Sequence, residues 1–157
     1  MRLHLCAVGR IRADQPERAI FEDYHMRFNR TGKPLALGPM VEIEVEDKKG
    51  IGMEAEAELL LRAVPAGALI VTLDERGRTL SSPDFAAQLA RWRDAGRQDV
   101  AFLIGGADGL AQGLRDRAAF SLSFGSMVWP HMLVRVMLAE QLYRAATILA
   151  GSPYHRV

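Results

Sequence analysis

The chain has 157 residues, 49% of them apolar and 25% charged, with a formal net charge of +1. That length suits one domain spanning residues 1–157, able to bury about 70% of its unfolded surface in an ordinary core. A single cysteine, Cys6, excludes an intramolecular disulfide and a four-cysteine zinc site.

No apolar run reaches the length of a membrane span. The start, Met1 to Cys6, is too short and too polar for a signal peptide, which places the protein in the cytoplasm. The near-neutral charge excludes a uniformly basic nucleic-acid binder; RNA binding would need the arginines gathered on one face.

Leu3 to Val8 is a short apolar run stopped by Gly9, which predicts a buried strand. A helix is expected after Asp14 as N-cap, with Pro16 in its first turn. Ile20, Phe21, Tyr24 and Phe28 would face the core, and the helix would end in Asn29 to Pro34. Met40 to Val45 alternates apolar and acidic residues, the pattern of a half-buried strand. Asp47 to Gly52 reads as a solvated connection in preference to a basic RNA contact. Met53 to Val64, rich in Ala, Glu and Leu, predicts a helix closed by Pro65-Ala66-Gly67.

Ala68 to Leu73 is nearly all apolar, as in a parallel strand buried on both faces, and Asp74 to Arg78 reads as a turn at its end. Ser81 or Ser82 starts a helix that stops at Ala95-Gly96, with Phe85, Leu89 and Trp92 on its apolar stripe. Asp99 to Ile104 predicts the next buried strand. Leu110 to Arg117 reads as helical, Phe120 to Phe124 as a short strand, and His131 to Ala150 as the longest helix. That last helix has more than one apolar face, which suits a dimer interface.

Strands alternating with helices predict an α/β domain with a mainly parallel sheet flanked by helices. Ligands in such sheets bind beyond the carboxyl ends of strands. Three loops lie there by this reading, after Leu73, Ile104 and Phe124. Gly105 and Gly106 let a backbone approach a ligand. Gly-Gly-Ala-Asp-Gly is neither a dinucleotide fingerprint nor a Walker A loop, and no Gly-x-Ser-x-Gly elbow occurs. The four histidines lack helical metal-pair spacing, so no metal is expected.

Asp99 to Gly109, Phe124 to Arg135, Ala139 to Ala145 and the ending Pro153-Tyr154-His155-Arg156 resemble the RlmH family. These are small SPOUT-class methyltransferases acting on a pseudouridine of 23S rRNA in the large ribosomal subunit. Ala7-Val8-Gly9, Thr72-Leu73-Asp74, Leu80-Ser81-Ser82 and Phe85-Ala86 extend the match over nearly the whole chain. The resemblance implies a C-terminal trefoil knot, an exception to the rule that chains do not knot. It also implies a homodimer and S-adenosyl-L-methionine as cofactor. By position the cofactor contacts would be Leu73, Gly105, Phe124, Gly125, Ser126, Met127, Val128 and Trp129, the same loops that the strand-end rule selects. Val128 offers no side-chain hydroxyl.

The acceptor implied by the resemblance, N3 of pseudouridine, carries a proton and needs a base within reach. His155 is the candidate base because an imidazole ordinarily titrates near neutrality. Arg156 and Arg135 could hold phosphates or favour the developing anion, and Tyr154 could stack on the target base. Glu140 is expected to pair with Arg144 at i, i+4. With no appended RNA-binding module, recognition of an assembled ribosomal surface follows. A non-enzymatic RNA-binding or ribosome-binding dimer, and a methyltransferase for a different RNA, remain as alternatives.

Overall fold

The computed structural model describes residues 1–46 and 52–156. Five strands, β1 (Arg2–Val8), β2 (Met40–Val45), β3 (Leu69–Thr79), β4 (Asp99–Ile104) and β5 (Phe120–Ser123), form one sheet in the order β2-β1-β4-β3-β5. Every pairing is parallel, so the expected α/β class holds. The connecting helices are α1 (Pro16–Gly32), α2 (Gly52–Ala63), α3 (Ser82–Asp94), α4 (Gln112–Arg117) and α5 (His131–Leu149). No helix among the described residues is long and apolar enough to cross a membrane.

Side chains alternate across the strands and sort the helices into two layers. Leu3, Leu5, Ala7, Val100, Phe102 and Ile104 face Phe21 and Phe28 of α1, Phe85 and Leu89 of α3, and Leu138, Leu142 and Ala145 of α5. Cys6, Val8, Ala101 and Leu103 face Leu60 of α2 and Leu114 of α4. Fully burying one Leu or Phe contributes about 2 kcal/mol. A one-residue slip of β1 would put Leu5 and Ala7 where Cys6 and Val8 now pack, and move the opposite set to the other face, so register is held by side-chain size on both faces.

Most sequence expectations hold, with instructive exceptions. The N-cap of α1 is Gln15, not Asp14, and α1 ends at Gly32, within the expected Asn29 to Pro34. The Asn29 side chain accepts a bond from the Met40 amide at 2.7 Å, tying α1 to the start of β2. Ile20 is exposed and Tyr24 only half buried, so Phe21 and Phe28 carry the core face. The predicted loop Asp47 to Gly52 lies outside the described residues up to Ile51. Ser81 caps α3 as expected, its hydroxyl accepting from the Asp84 amide at 3.1 Å.

The largest departure is in β3. Asp74 to Arg78 does not end the strand: Leu73 and Arg78 both pair with Leu122, and the residues between them loop out of the ladder. A Cβ at Gly77 would stand 2.7 Å from the Ser121 carbonyl, so only glycine lets the returning chain lie this close to β5.

Candidate active site

The carboxyl ends of β3, β4 and β5 meet around a cleft of about 570 Å³, within the usual range for small-molecule sites. Leu73, Gly105, Phe124, Gly125, Met127, Val128 and Trp129 all line it. Of the residues expected to contact a cofactor, only Ser126 does not. The strand-end rule thus picks residues that share one cleft.

Local sequence explains the shape of the walls. After β4, the segment Gly105 to Gly109 folds back on itself through a bridge between Gly106 and Gly109. A Cβ at Gly105 would lie 2.6 Å from the Gly109 carbonyl oxygen, so the turn can close only without a side chain there. After β5, Gly125 adopts φ +110, which turns the chain away from the sheet. The Ser123 hydroxyl accepts the Gly125 amide and donates to the Glu75 carbonyl, joining the β3 and β5 loops. Beyond this turn Met127 is 72% and Val128 81% exposed, a large apolar surface for a loop tip.

The sequence reading passed over the charged wall of the cleft. Asp74, Glu75, Arg76, Asp108 and His131 also line it. The Asp74 carboxylate accepts the amide, Nε and Nη2 of Arg76 at 2.9, 2.8 and 2.9 Å, and Arg115 Nε stands 3.7 Å away. Burial opposes ionisation of Asp74, but the hydrogen bonds from Arg76 win and hold its carboxyl below the ordinary value. Only the position of Asp74 at a strand end signalled this group.

The C-terminal tail lies elsewhere in its own chain. Gly151, at φ +69, ends α5 in a Schellman arrangement, with Ser152 N bonded to the Thr147 carbonyl and Gly151 N to the Ile148 carbonyl. The chain then doubles back along α5. The Tyr154 hydroxyl donates to Glu140 at 3.0 Å, and Arg144 stands 4.8 Å over the Tyr154 ring. The Tyr154 and Tyr143 rings are 4.6 Å apart. Burial first, then hydrogen bonds to Tyr24 and Glu140, push the Tyr154 phenol up, so it stays protonated. The expected Glu140–Arg144 pair forms at 3.0 Å.

Arg144 Nη1 lies 3.2 Å from His155 Nδ1. A guanidinium can only donate, so His155 Nδ1 accepts and the neutral ring carries its proton on Nε2. Neither Tyr154, His155 nor Arg156 lines the cleft. Glu140 instead borders a second, more apolar hollow of about 610 Å³ between α1, α3 and α5. Leu122, Phe124 and Gly125 wall both cavities.

Arg135 corrects an expectation. It is fully buried, and donates to Glu44 at 2.7 Å, Glu42 at 3.1 Å and the Gly9 carbonyl at 2.9 Å. Arg18 completes the cluster by donating to Glu42 at 2.7 Å. A side chain so enclosed cannot hold a phosphate; it ties α5 to β1 and β2.

A parallel sheet whose last three strand ends build a glycine-walled cleft, followed by a long helix and a short returning tail, defines an α/β domain with a cleft of small-molecule size. The chain belongs to the SPOUT methyltransferase family: a family model described as "Predicted SPOUT methyltransferase" matches residues 1–155.

Relatives named "Ribosomal RNA large subunit methyltransferase H" are similar over the full length. One from Cereibacter sphaeroides is 73% identical and one from a Ruegeria species 67%, each over 100% of both chains. Among solved structures, a probable methylase family protein from Haemophilus influenzae Rd KW20 aligns over 99% of this chain and 70% of its own. Its TM-score is 0.50 at 11% identity, a likeness of fold alone.

Proposed function

We propose that this chain is an S-adenosyl-L-methionine-dependent methyltransferase acting on N3 of a pseudouridine in 23S rRNA of the large subunit, on assembled ribosomes in the cytoplasm. The observation that carries the reading is the convergence of Leu73, Gly105 and the Phe124–Trp129 loop on one cleft, in a chain so similar to the named relatives. In this reading residues 1–157 are a single domain with a C-terminal trefoil knot, and it works as a homodimer.

The residues present fit the cofactor. Leu73, Ile104, Leu122 and Phe124 offer apolar walls for an adenosyl group, and Gly105, Gly106 and Gly109 offer backbone not covered by their own side chains. When bound, the cofactor supplies an activated methyl on a sulfonium. The chain's part is to hold the acceptor in line and manage one proton. As the N–C bond forms, N3 of the substrate gives up its proton.

His155 can take that proton at Nδ1 only after releasing Arg144. While the contact persists Nδ1 is occupied, so release of Arg144 precedes passage of the N3 proton to His155. Arg156, exposed at the end of the tail, contributes positive charge for the developing imide anion or for phosphate. Tyr154 is engaged by Arg144 and Glu140, so in this arrangement it anchors the tail instead of stacking on a base.

Cleft and tail are separate within one chain, and the loop between them exposes Met127, Val128 and Trp129. A second copy covering that loop would bring its own tail to the cleft, so the dimer makes the active site. The test is transfer of labelled methyl from S-adenosyl-L-methionine to large subunits, ribosomes and naked rRNA from cells lacking the modification, followed by nucleoside mass spectrometry. Methylpseudouridine formed on assembled particles is the expected result. Cofactor binding without transfer to any of these would move the substrate to another RNA. Absence of cofactor binding would leave a non-enzymatic RNA-binding dimer.

A further inference from the structure

We infer that Arg76, braced by Asp74 with Arg115 alongside, is a contact for a backbone phosphate of the RNA substrate at the rim of the cleft. The inference rests on the reading of the chain as an RNA methyltransferase and adds a substrate contact to it.

The backbone under Arg76 is fixed from both sides. Leu73 and Arg78 each pair with Leu122, and Gly77 abuts Ser121, so the intervening loop is pinned against β5. The side chain is fixed as well. Asp74, only 3% exposed, grips one edge of the guanidinium through Nε and Nη2. Among the described residues nothing bonds to Nη1, and the Arg76 side chain is 56% exposed. The group is therefore oriented in advance, on a side chain that lines the cleft and keeps one donor nitrogen unengaged.

The pairing at Asp74 also differs from the surface pairs. Arg27 with Asp23, and Arg62 with Glu58, are one-to-one. Asp74 instead faces two guanidiniums, Arg76 and Arg115, so it does not fully neutralise Arg76, while Glu75 and Asp108 stand on the same wall of the cleft. Asp74 stays ionised through the working range, so the brace persists.

A guanidinium presented in a fixed orientation suits an anionic oxygen, and little freedom is left for it to lose on binding. An RNA nucleotide seated in the cleft brings its flanking phosphates to this rim. The cofactor's carboxylate is the other anionic oxygen near the cleft, and the two sources give opposite results in the assay.

The experiment compares wild type with Arg76→Ala and Arg76→Lys. Methyl transfer to large subunits lacking the modification is followed at several salt concentrations, and cofactor affinity is measured separately by calorimetry. Arg76→Ala should raise the KM for subunits about tenfold, the size of one charge-assisted hydrogen bond, with kcat nearly unchanged. It should also lower the salt slope of substrate binding by about one. Arg76→Lys keeps the charge but not the fork that Asp74 grips, so it should recover the slope but only part of the KM.

Cofactor affinity should stay within about twofold throughout; a parallel loss there would assign Arg76 to the cofactor carboxylate and overturn the inference. An unchanged KM or an unchanged slope in Arg76→Ala would overturn it too, with thermal unfolding showing that the variant is folded. A wild-type chain that binds cofactor but methylates neither ribosomes, subunits nor naked rRNA would overturn the proposed function, and the inference with it; if only ribosomes are methylated, the same variants are compared on ribosomes.

Discussion

Replacing Arg135 by alanine should weaken the fold more than any change on the outer face of α5. The side chain is wholly buried and makes bonds to Glu44, Glu42 and the Gly9 carbonyl. Removing one partner of a buried ion pair costs about 3–5 kcal/mol, because the remaining charge is left without compensation. Glu42 and Glu44 keep Arg18 and some contact with solvent, which moves the expectation to the lower end, about 3 kcal/mol. In a chain of this size each kcal/mol shifts the midpoint by about 2–4 °C, so the loss should appear as about 6–12 °C.

Denaturant and thermal unfolding at one fixed protein concentration measure it. Arg135→Met combined with Glu44→Gln should recover much of the loss, since it removes one charge of each sign, fills the space and leaves the Arg18–Glu42 pair in place. A loss under about 1 kcal/mol for Arg135→Ala would refute the reasoning, since that is the size of an ordinary surface pair.

Three further outcomes are expected. Gly105→Ala should abolish cofactor binding in calorimetry, because the new Cβ would lie 2.6 Å from the Gly109 carbonyl and force the turn open; binding within about threefold of wild type would contradict this. Hydrogen bonds from Arg2, and then from His4, hold the Asp99 carboxyl below its ordinary value. Its stabilisation is therefore complete above the unfolded value of about 3.9 and lost as pH falls through the lower folded value. Asp99→Asn should accordingly flatten the stability profile below about pH 4; an equally steep acid limb would argue against that assignment. Burial pushes the Cys6 thiol up to about 12, so iodoacetamide should modify it only in denaturant. Labelling of the native protein at the rate of a free thiol would show that β1 opens.

The fold was legible wherever a pattern is local. β1, β2 and β4 begin and end within a residue of their apolar or alternating runs, and Ser81 caps α3 through its own hydroxyl. What escaped is decided by distant partners. Asp-Glu-Arg-Gly-Arg has turn chemistry and does leave the ladder, but only β5, more than 40 residues on, shows that the strand resumes at Arg78. Arg135 reads as an ordinary helix cation because its acidic partners stand on β2, more than 90 residues earlier.

The position of the cleft followed from strand ends. Its charged wall did not, because nothing in a run of charged residues tells which carboxylate is buried. Gly151-Ser152-Pro153 marked the end of α5 correctly. That the tail returns to Glu140 and Arg144 depends on the φ of Gly151, which sequence does not display.

The packing of α1 against α5 bears on how the protein is made. Phe21 and Phe28 belong to the first helix, yet Leu138, Leu142 and Ala145, part of what encloses them, come from the last. During synthesis the first helix waits, greasy side outward, until α5 has been made, more than 100 residues later. Chains cut short before α5 would keep that face bare and be prone to clump or to be degraded. The first helix of a protein proposed to modify the ribosome thus depends on the ribosome finishing α5.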